Sequence, residues 1–331
     1  MKKPKNTKYD LENTHPAIPE AYDQLTQGRI SRREFLRFST LLGMSAGAAQ
    51  FLAACGAPVE EAAPAAEEAA PAGGIKRGGT MRVATQVPAV DHPARFSWVY
   101  DANQFRLVFE YLTETDSDNI THPYLLESWD ASADLTTWTL NLRKGIKWTN
   151  GDEFVAEHVK FNFAEWLNPD VGSSILGLWE GFLTIDGVEI VDDYTVKLNL
   201  AGPLLAVPEQ LFHYPAQIMH PSFDGDITSG KNPSTGPYTL DEYVAAERVR
   251  IVSRFANGDD GYWQKGEDGD PLPYLDAIEW VDLGDDQTAY VAALQGGQVD
   301  TIYDPTVDSF LALRNDPNVN VLPIGTSRAR V

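Results

Sequence analysis

The chain has 331 residues, 43% of them hydrophobic and 11% aromatic, which is enough for two or three structural units with packed cores. It carries 48 acidic and 26 basic residues, a formal net charge of −22, and eight of the basic residues lie in the first 55. So acidic a body repels phosphate backbones, which argues against nucleic acid as a partner. The single cysteine, Cys55, excludes a disulfide framework or a thiolate metal cluster within one chain.

Residues 1–55 have the features of a bacterial export signal. A run of 17 uncharged residues, rich in Ala, Gly and Ser, extends from Phe38 to Ala54 and is near the short limit for a bilayer span. The residues before it, Ser-Arg-Arg-Glu-Phe-Leu-Arg, resemble the twin-arginine signal, with Arg32 and Arg33 as the paired arginines. The alternative is an uncleaved membrane anchor with its arginines on the cytoplasmic side.

The uncharged run ends in Leu-Ala-Ala-Cys-Gly, which resembles the bacterial lipobox. The resemblance implies that Cys55 is acylated and becomes the first residue after cleavage. Several acyl chains together hold a protein stably at a bilayer. We therefore expect a lipid-anchored protein outside the cytoplasmic membrane; the alternative is a small buried cysteine.

Residues 56–79 consist almost entirely of Ala, Pro, Glu and Gly. Such a segment cannot bury enough apolar surface to fold, so we expect a disordered tether that reaches roughly 80 Å when fully extended.

Hydrophobic periodicity from Thr80 onward predicts a folded body with mixed strands and helices, of the α/β or α+β class. The predicted elements are a strand at 80–87, a helix at 105–112, a hairpin of 138–142 with 146–148, a helix at 155–167 and a hairpin at 187–200 that turns at Asp192 and Asp193. Gly296 and Gly297 are expected to end a further helix around 290–294, because glycine tolerates the left-handed conformation of a helix cap.

Five sequence blocks resemble family 5 extracellular solute-binding proteins, which serve ABC importers of peptides, nickel and some oligosaccharides. In chain order they are GGTMRVA (78–84), LVFEYLTETDSDN (107–119), LLESWDASADLTTWTLNLRKGIKWTNGDEFVAEHVKFNF (125–163), NPSTGPYTLDEY (232–243) and ALQGGQVDTIYD (293–304). Five blocks in the family's order are far more specific than any single motif.

The resemblance implies a two-lobed α/β fold, the type II periplasmic binding protein-like fold, with solute bound between the lobes. We expect residues 80–284 to form the first lobe and 285–331 to begin a second lobe that is otherwise missing, so that the sequence is truncated. Val155 stands where the family usually has Thr, which predicts the loss of a helix cap worth about 1 kcal/mol. The segment 255–269 is longer and more acidic than the family's turn.

The family's cleft-lining segments correspond here to Ser97, Trp98, Val99 and Tyr100, and to the segment from Leu176 to Trp179. Exposed aromatic side chains suit a cleft that accepts varied solutes. The alternative is that Trp98 and Trp179 are core residues. The family residues that fix peptide termini lie mostly in the missing lobe, so the sequence does not identify the solute.

Other motifs point to no cofactor, metal or catalytic centre. The stretch 225–232 is similar to a phosphate-binding loop, but Asn232 replaces its Ser or Thr and Pro233 bars the helix that should follow. A polar loop is expected there. The six histidines are scattered, and the acidic run at 259–270 lacks the spacing of a calcium loop.

These observations predict the substrate-binding component of an ABC importer. It would capture a small solute, oligopeptide above all, and deliver it to the membrane permease subunits without chemistry of its own. The alternatives are a secreted enzyme exported in the folded state and a sensor module that uses the same binding fold.

Overall fold

A computed structural model of the chain describes residues 14–45, 48–50, 52–53, 75–258 and 262–321. Cys55 and residues 56–74 of the predicted tether lie outside these ranges, whereas 75–79 are described and lack regular secondary structure. None of the described helices combines the length and the apolar character that a membrane crossing requires.

The elements are numbered here in chain order. The helices are α1 (Ala17–Thr26), α2 (Arg32–Leu41), α3 (Val99–Asn103), α4 (Ala156–Leu167), α5 (Leu176–Trp179), α6 (Val207–Gln210), α7 (Gln287–Gln295) and α8 (Val307–Leu313). The strands are β1 (Thr80–Ala84), β2 (Thr113–Thr115), β3 (Thr121–Pro123), β4 (Leu126–Ala131), β5 (Thr137–Leu142), β6 (Val188–Asp192), β7 (Thr195–Asn199), β8 (Tyr238–Val244), β9 (Arg248–Ser253), β10 (Ala277–Val281) and β11 (Thr301–Ile302).

The larger sheet has the strand order β11-β1-β10-β9-β8. Strand β1 is parallel to both of its neighbours, β10 and β11, while β9 is antiparallel to β10 and to β8. The three parallel strands therefore end at one edge of the sheet, and β9 ends at the opposite edge. Ligand sites in α/β proteins form preferentially at the carboxyl edge of parallel strands.

The smaller of the two main sheets is antiparallel, with the order β4-β5-β7-β6, while β2 and β3 pair as a separate two-stranded ribbon. The predicted hairpin at 187–200 is confirmed, because β6 pairs with β7, and Val196 and Leu198 are fully buried. The predicted helix at 155–167 is also confirmed as α4, which buries Val159, Phe163 and Trp166 against this sheet. Val155 makes no side-chain cap, as its substitution for Thr predicts.

Each of the two main sheets carries its own hydrophobic core. The core on the smaller sheet contains four fully buried tryptophans, Trp138, Trp148, Trp166 and Trp179. The core on the larger sheet is built around Phe96, Phe105, Phe109 and Trp280. Each fully buried large side chain contributes roughly 1.5–3 kcal/mol, so these aromatic residues hold the body together.

The predicted helix at 105–112 is wrong. The segment forms turns, and its main-chain carbonyls accept hydrogen bonds from distant residues: Leu107 from Tyr238 N at 3.1 Å and Val108 from Gly236 N at 3.0 Å. A Cβ on Gly236 would lie 2.3 Å from the Leu107 carbonyl oxygen, so only glycine permits this approach. The segment is buried nearly throughout because it crosses the interior, not because one helical face packs.

The predicted strand at 146–148 is wrong as well, since only an isolated bridge between Lys147 and Glu153 forms there. Strand β5 is flanked by β4 and β7, so it has no free edge for a further hairpin partner. The chain instead makes a tight turn at Gly151, with φ at +94° and Gly151 N donating to Trp148 O at 2.9 Å.

The larger sheet continues past residue 285, where we expected the second lobe to begin. Helix α7 ends at Gln295 and is followed by Gly296 and by Gly297 with φ at +67°, as predicted. The chain then returns to the larger sheet, where β11 pairs with β1 through Val83–Thr301 and Ala84–Ile302. Thr301 and Ile302, which lie beyond the expected boundary, therefore belong to the same sheet as Thr80.

Candidate functional site

The candidate solute site lies at the carboxyl end of β1, where helix α3 meets the segment that follows β11. Tyr303 N donates to Ala84 O at 3.0 Å, which fixes this segment beside the end of β1. The Tyr100 hydroxyl donates to Asp304 Oδ2 at 2.7 Å, and the rings of Tyr100 and Tyr303 pack edge to face at 5.5 Å. Asn103 Nδ2 donates to the Tyr303 hydroxyl. Two tyrosines, an amide and a carboxylate thus form one polar and aromatic cluster.

Asp101 holds the start of α3 in place. Its Oδ2 accepts hydrogen bonds from the backbone N–H groups of Ser97 and Trp98, both at 3.0 Å. A carboxylate in the first turn is also favoured by the helix dipole. The backbone of Trp98 is therefore fixed, while its side chain is 68% exposed.

The predicted site residues fall into two groups. Ser97 and Trp98 are exposed, Val99 and Tyr100 are half-buried, and all four lie in or beside α3 at the candidate site. Leu176 is half-buried in α5. The chain just before α5 contacts residues 94–95, since Ser174 N donates to Ala94 O at 2.8 Å. The second predicted segment thus adjoins the chain that leads into α3.

Trp179 is the exception, because the structure places it in the core. Its side chain is fully buried, and its ring packs edge to face on Phe163 at 5.5 Å. Its indole N–H is buried without a hydrogen-bond partner among the described residues. A side chain with no exposed surface cannot touch a solute in this conformation, so the expectation of a cleft position for Trp179 is corrected in favour of the core alternative.

Tyr303 and Asp304 were not predicted as site residues, although they end one of the five family blocks. The signal that locates them is topological: a strand parallel to β1 ends beside it, so the residues that follow both strands meet. Sequence spacing alone does not show that β11 pairs with β1.

The carboxyl group of Glu110 is buried in the protein interior, apart from the candidate site. The Tyr262 hydroxyl donates to Glu110 Oε1 at 2.7 Å, and Trp263 Nε1 lies 3.4 Å from Glu110 Oε2. Burial raises the pKa of the Glu110 carboxyl, while its hydrogen-bond donors act in the opposite direction. Arg143 covers the Trp263 ring at 4.9 Å from its centroid. These contacts fasten the 262–263 segment to the protein interior.

His158, in the first turn of α4, packs against His220. His158 Nδ1 accepts from Trp148 Nε1 at 3.0 Å, and the His158 and His220 rings are 5.0 Å apart. His220 Nε2 lies 3.1 Å from Asp152 Oδ2. Burial, reinforced by His220, lowers the pKa of His158 to about 4, while Asp152 acts to raise it. Within the described ranges, no three His, Cys, Asp or Glu side chains are grouped so as to hold a metal ion.

The loop similar to a phosphate-binding loop contains only a short 3₁₀ helix, Ile227–Ser229, and Asn232 Nδ2 is used within the loop, donating to Asp224 Oδ1 at 3.1 Å. The prediction of a polar loop at 225–232 is confirmed. A cavity of about 370 Å³ beside it is lined by Lys231, Asn232 and Asn150 among others.

The predicted twin-arginine segment begins helix α2. Ser31 Oγ accepts from Glu34 N at 3.2 Å and Glu34 Oε2 accepts from Ser31 N at 2.7 Å, a reciprocal cap that starts the helix at Arg32. Cys55, the predicted lipidation site, lies outside the described residues.

Comparison with known proteins gives consistent results. The sequence model of the bacterial extracellular solute-binding proteins, family 5, middle region, matches residues 121–331, more than half of the chain. The glutathione-binding protein GsiB of Salmonella typhimurium is 31% identical over 234 residues, which is 67% of this chain and 43% of that protein. GsiB of Pectobacterium atrosepticum is 33% identical over 215 residues, 62% of this chain and 39% of that protein.

Solved structures of periplasmic binding proteins share the fold. The DppA protein of Helicobacter pylori in complex with the peptide STSA matches with a TM-score of 0.62 and 21% identity, covering 73% of this chain and 50% of that one. NikZ of Campylobacter jejuni in complex with Ni(L-His) matches with a TM-score of 0.60 and 25% identity, covering 72% and 45%. The chain spans about half of the length of these structures and about two fifths of the curated relatives above.

The described body therefore has the expected α/β architecture of the type II periplasmic binding proteins, as far as this chain extends. The match over 121–331 and the ordered elements of both sheets lead to one conclusion: the chain belongs to family 5 of the bacterial extracellular solute-binding proteins.

Proposed function

We propose that the protein is the extracytoplasmic solute receptor of an ATP-driven importer and that it binds peptides or similar small solutes. The observation that carries the proposal is the cluster of Tyr100, Tyr303 and Asp304 at the carboxyl edge of the parallel strands. It offers aromatic faces for varied side chains and a carboxylate for a cationic group. In this proposal the protein performs no chemistry of its own.

The relatives support a peptide-like solute. GsiB is a glutathione-binding protein, and the DppA structure holds a tetrapeptide, whereas the NikZ structure holds a nickel–histidine complex.

We further propose that residues 1–55 direct export, that Cys55 carries the lipid anchor and that the receptor delivers its solute to ABC permease subunits. The reciprocal cap at Ser31 and Glu34, which begins a helix at the paired arginines, gives the proposed signal a defined local structure.

Isothermal titration calorimetry on a form of the protein that includes a second lobe tests which solute the receptor binds. The panel consists of glutathione, di- to nonapeptides and nickel–histidine, and the same panel is measured on the site variant Trp98→Ala. Micromolar or tighter binding of a peptide, weakened in the variant, is the expected result. Binding of nickel–histidine alone would overturn the peptide proposal, and binding of no member of the panel would overturn the receptor proposal for these solutes.

A further inference from the structure

The N-terminal segment folds as a small helical unit on the body. We call residues 14–45, 48–50 and 52–53 the signal cap. Its core is formed by Ile18, Leu25, Phe35, Leu42, Ala49 and Leu52. Two body residues, Leu135 and Leu205, pack against this core. The cap therefore shares apolar surface with the smaller sheet and with the segment before α6.

A side-chain hydrogen bond and a close approach of two backbones fix the end of α2 on strand β4. Trp129 Nε1 donates to Leu41 O at 3.0 Å, and Trp129 is only 3% exposed. Gly43 has φ at +88°, and a Cβ at this position would lie 2.7 Å from the Trp129 carbonyl oxygen. The backbones approach this closely only because residue 43 is glycine.

All three arginines of α2 are bound to protein groups. Arg33 Nε and Nη2 donate to the Asp118 carbonyl oxygen at 3.1 and 3.0 Å, with the Asp118 carboxylate 3.6 Å away. Arg37 Nη2 and Nε donate to Glu209 Oε1 at 2.6 and 3.1 Å. Arg32 Nε donates to Ala53 O at 3.0 Å, within the cap itself.

From these contacts we propose that the signal cap docks on the body before cleavage and thereby competes with the export receptor for the arginine segment. This inference rests on the proposed export role of residues 1–55. A receptor that reads paired arginines must offer them acceptors, carboxylates above all. The body already binds Arg33, one of the pair, at Asp118, and it holds the adjoining part of the segment through Arg37 and Glu209, so the receptor has to displace these contacts. Docking then slows export of the folded precursor.

The key variant is Glu209→Lys, which places a cation against Arg37 without altering the signal itself. Its matched control is Glu242→Lys, because Glu242 forms a similar exposed pair with Arg248 on the larger sheet, with Arg248 Nε 2.6 Å from Glu242 Oε2. A second variant, Trp129→Phe, removes the hydrogen bond to Leu41 and keeps an aromatic ring. Its control is Trp138→Phe on the neighbouring strand, since the Trp138 N–H has no partner among the described residues.

Docking is measured first on the purified precursor, by hydrogen exchange of the amides in α1 and α2 and by tryptic cleavage after Arg33 and Arg37. We expect Glu209→Lys and Trp129→Phe each to accelerate exchange and cleavage about fivefold, and the two controls to leave both unchanged. Equal rates in all five proteins, or the same protection in an isolated peptide of residues 1–55, would overturn docking.

Competition is measured second, as the rate of export in a pulse–chase experiment in cells. Faster export of Glu209→Lys than of Glu242→Lys supports the proposal, and unchanged export with a loosened cap overturns it. The double variant Arg32→Lys, Arg33→Lys separates the export role of the arginines from docking of the cap. If that double variant is exported normally, the export role of the arginines fails and competition fails with it, whereas the docking measured on the purified protein stands independently.

Discussion

Replacing Trp179 by alanine tests whether the residue belongs to the core or to the cleft. The side chain is fully buried and packs against Phe163, so its removal leaves a large cavity between α4 and α5. Substitutions of this kind cost about 3–5 kcal/mol of unfolding free energy. Since whole domains are stable by only about 5–15 kcal/mol, the variant should unfold at a much lower urea concentration.

Trp179→Phe is a sharper companion variant. It removes an indole N–H that is buried without a partner among the described residues, and the relief of that penalty offsets part of the lost packing. We expect a cost of about 1 kcal/mol. Trp98→Ala serves as the exposed control, with a change within about 0.5 kcal/mol, because the Trp98 side chain is 68% exposed.

Urea unfolding followed by circular dichroism gives all three free energies, provided that the slopes with denaturant agree. A loss of less than about 1 kcal/mol for Trp179→Ala, together with weakened solute binding, would contradict the core assignment and restore Trp179 to the cleft.

Three further predictions follow from other parts of the chain. Trp98→Ala and Tyr100→Ala should each weaken solute binding in calorimetry by about 1–3 kcal/mol with little change in Tm; intact affinity in both would remove α3 from the site. Cys55→Ser should release the exported protein from membranes, and its retention after a carbonate wash would contradict the lipid anchor. Burial lowers the pKa of His158 to about 4, below the unfolded value of 6.5, so the contribution of His158 to the unfolding free energy should be constant above pH 6.5 and fall between pH 6.5 and about 4. After allowance for partial exposure, the loss should be roughly 1–2 kcal/mol, and His158→Gln should remove this part of the pH dependence in urea titrations, whereas an unchanged profile would refute it.

Local patterns predicted the elements whose packing depends on near neighbours. Val196 and Leu198 alternate with polar residues and face the core of a hairpin closed within a few residues. Helix α4 buries Val159, Phe163 and Trp166, which share one helical face, so periodicity was sufficient.

Hydrophobic periodicity gave wrong predictions where a segment's hydrogen-bond partners are distant in sequence. Residues 105–112 contain the apolar spacing of a helix, yet the carbonyls of Leu107 and Val108 are bound by Tyr238 and Gly236, more than 120 residues further on. No local signal shows that Gly236 comes within contact of this backbone. The same holds for β11, whose pairing with β1 determines that Tyr303 and Asp304 face α3.

Composition also could not separate the two tryptophans that the family alignment placed in the cleft. Trp98 immediately precedes the short helix α3 and Trp179 ends the short helix α5, and no local sequence pattern in either segment shows which way the ring points. The difference arises from tertiary packing: Phe163 on α4 covers Trp179, whereas Asp101 holds the backbone of Trp98 and leaves its ring outside.

This asymmetry identifies the part of the proposed site that responds to a solute. Tyr100 is already hydrogen-bonded to Asp304 and its ring packs on that of Tyr303, so the geometry of the three side chains is set before a ligand arrives and little side-chain entropy remains to be lost. Trp98 instead presents most of its ring to water, and covering it with a solute or a second lobe contributes apolar burial only in the bound state. The tyrosine–carboxylate cluster would therefore orient the ligand, while Trp98 would supply the free energy that favours the closed, occupied receptor. Trp179 is already fully buried against Phe163, so it has no apolar surface left to bury and contributes nothing to that difference.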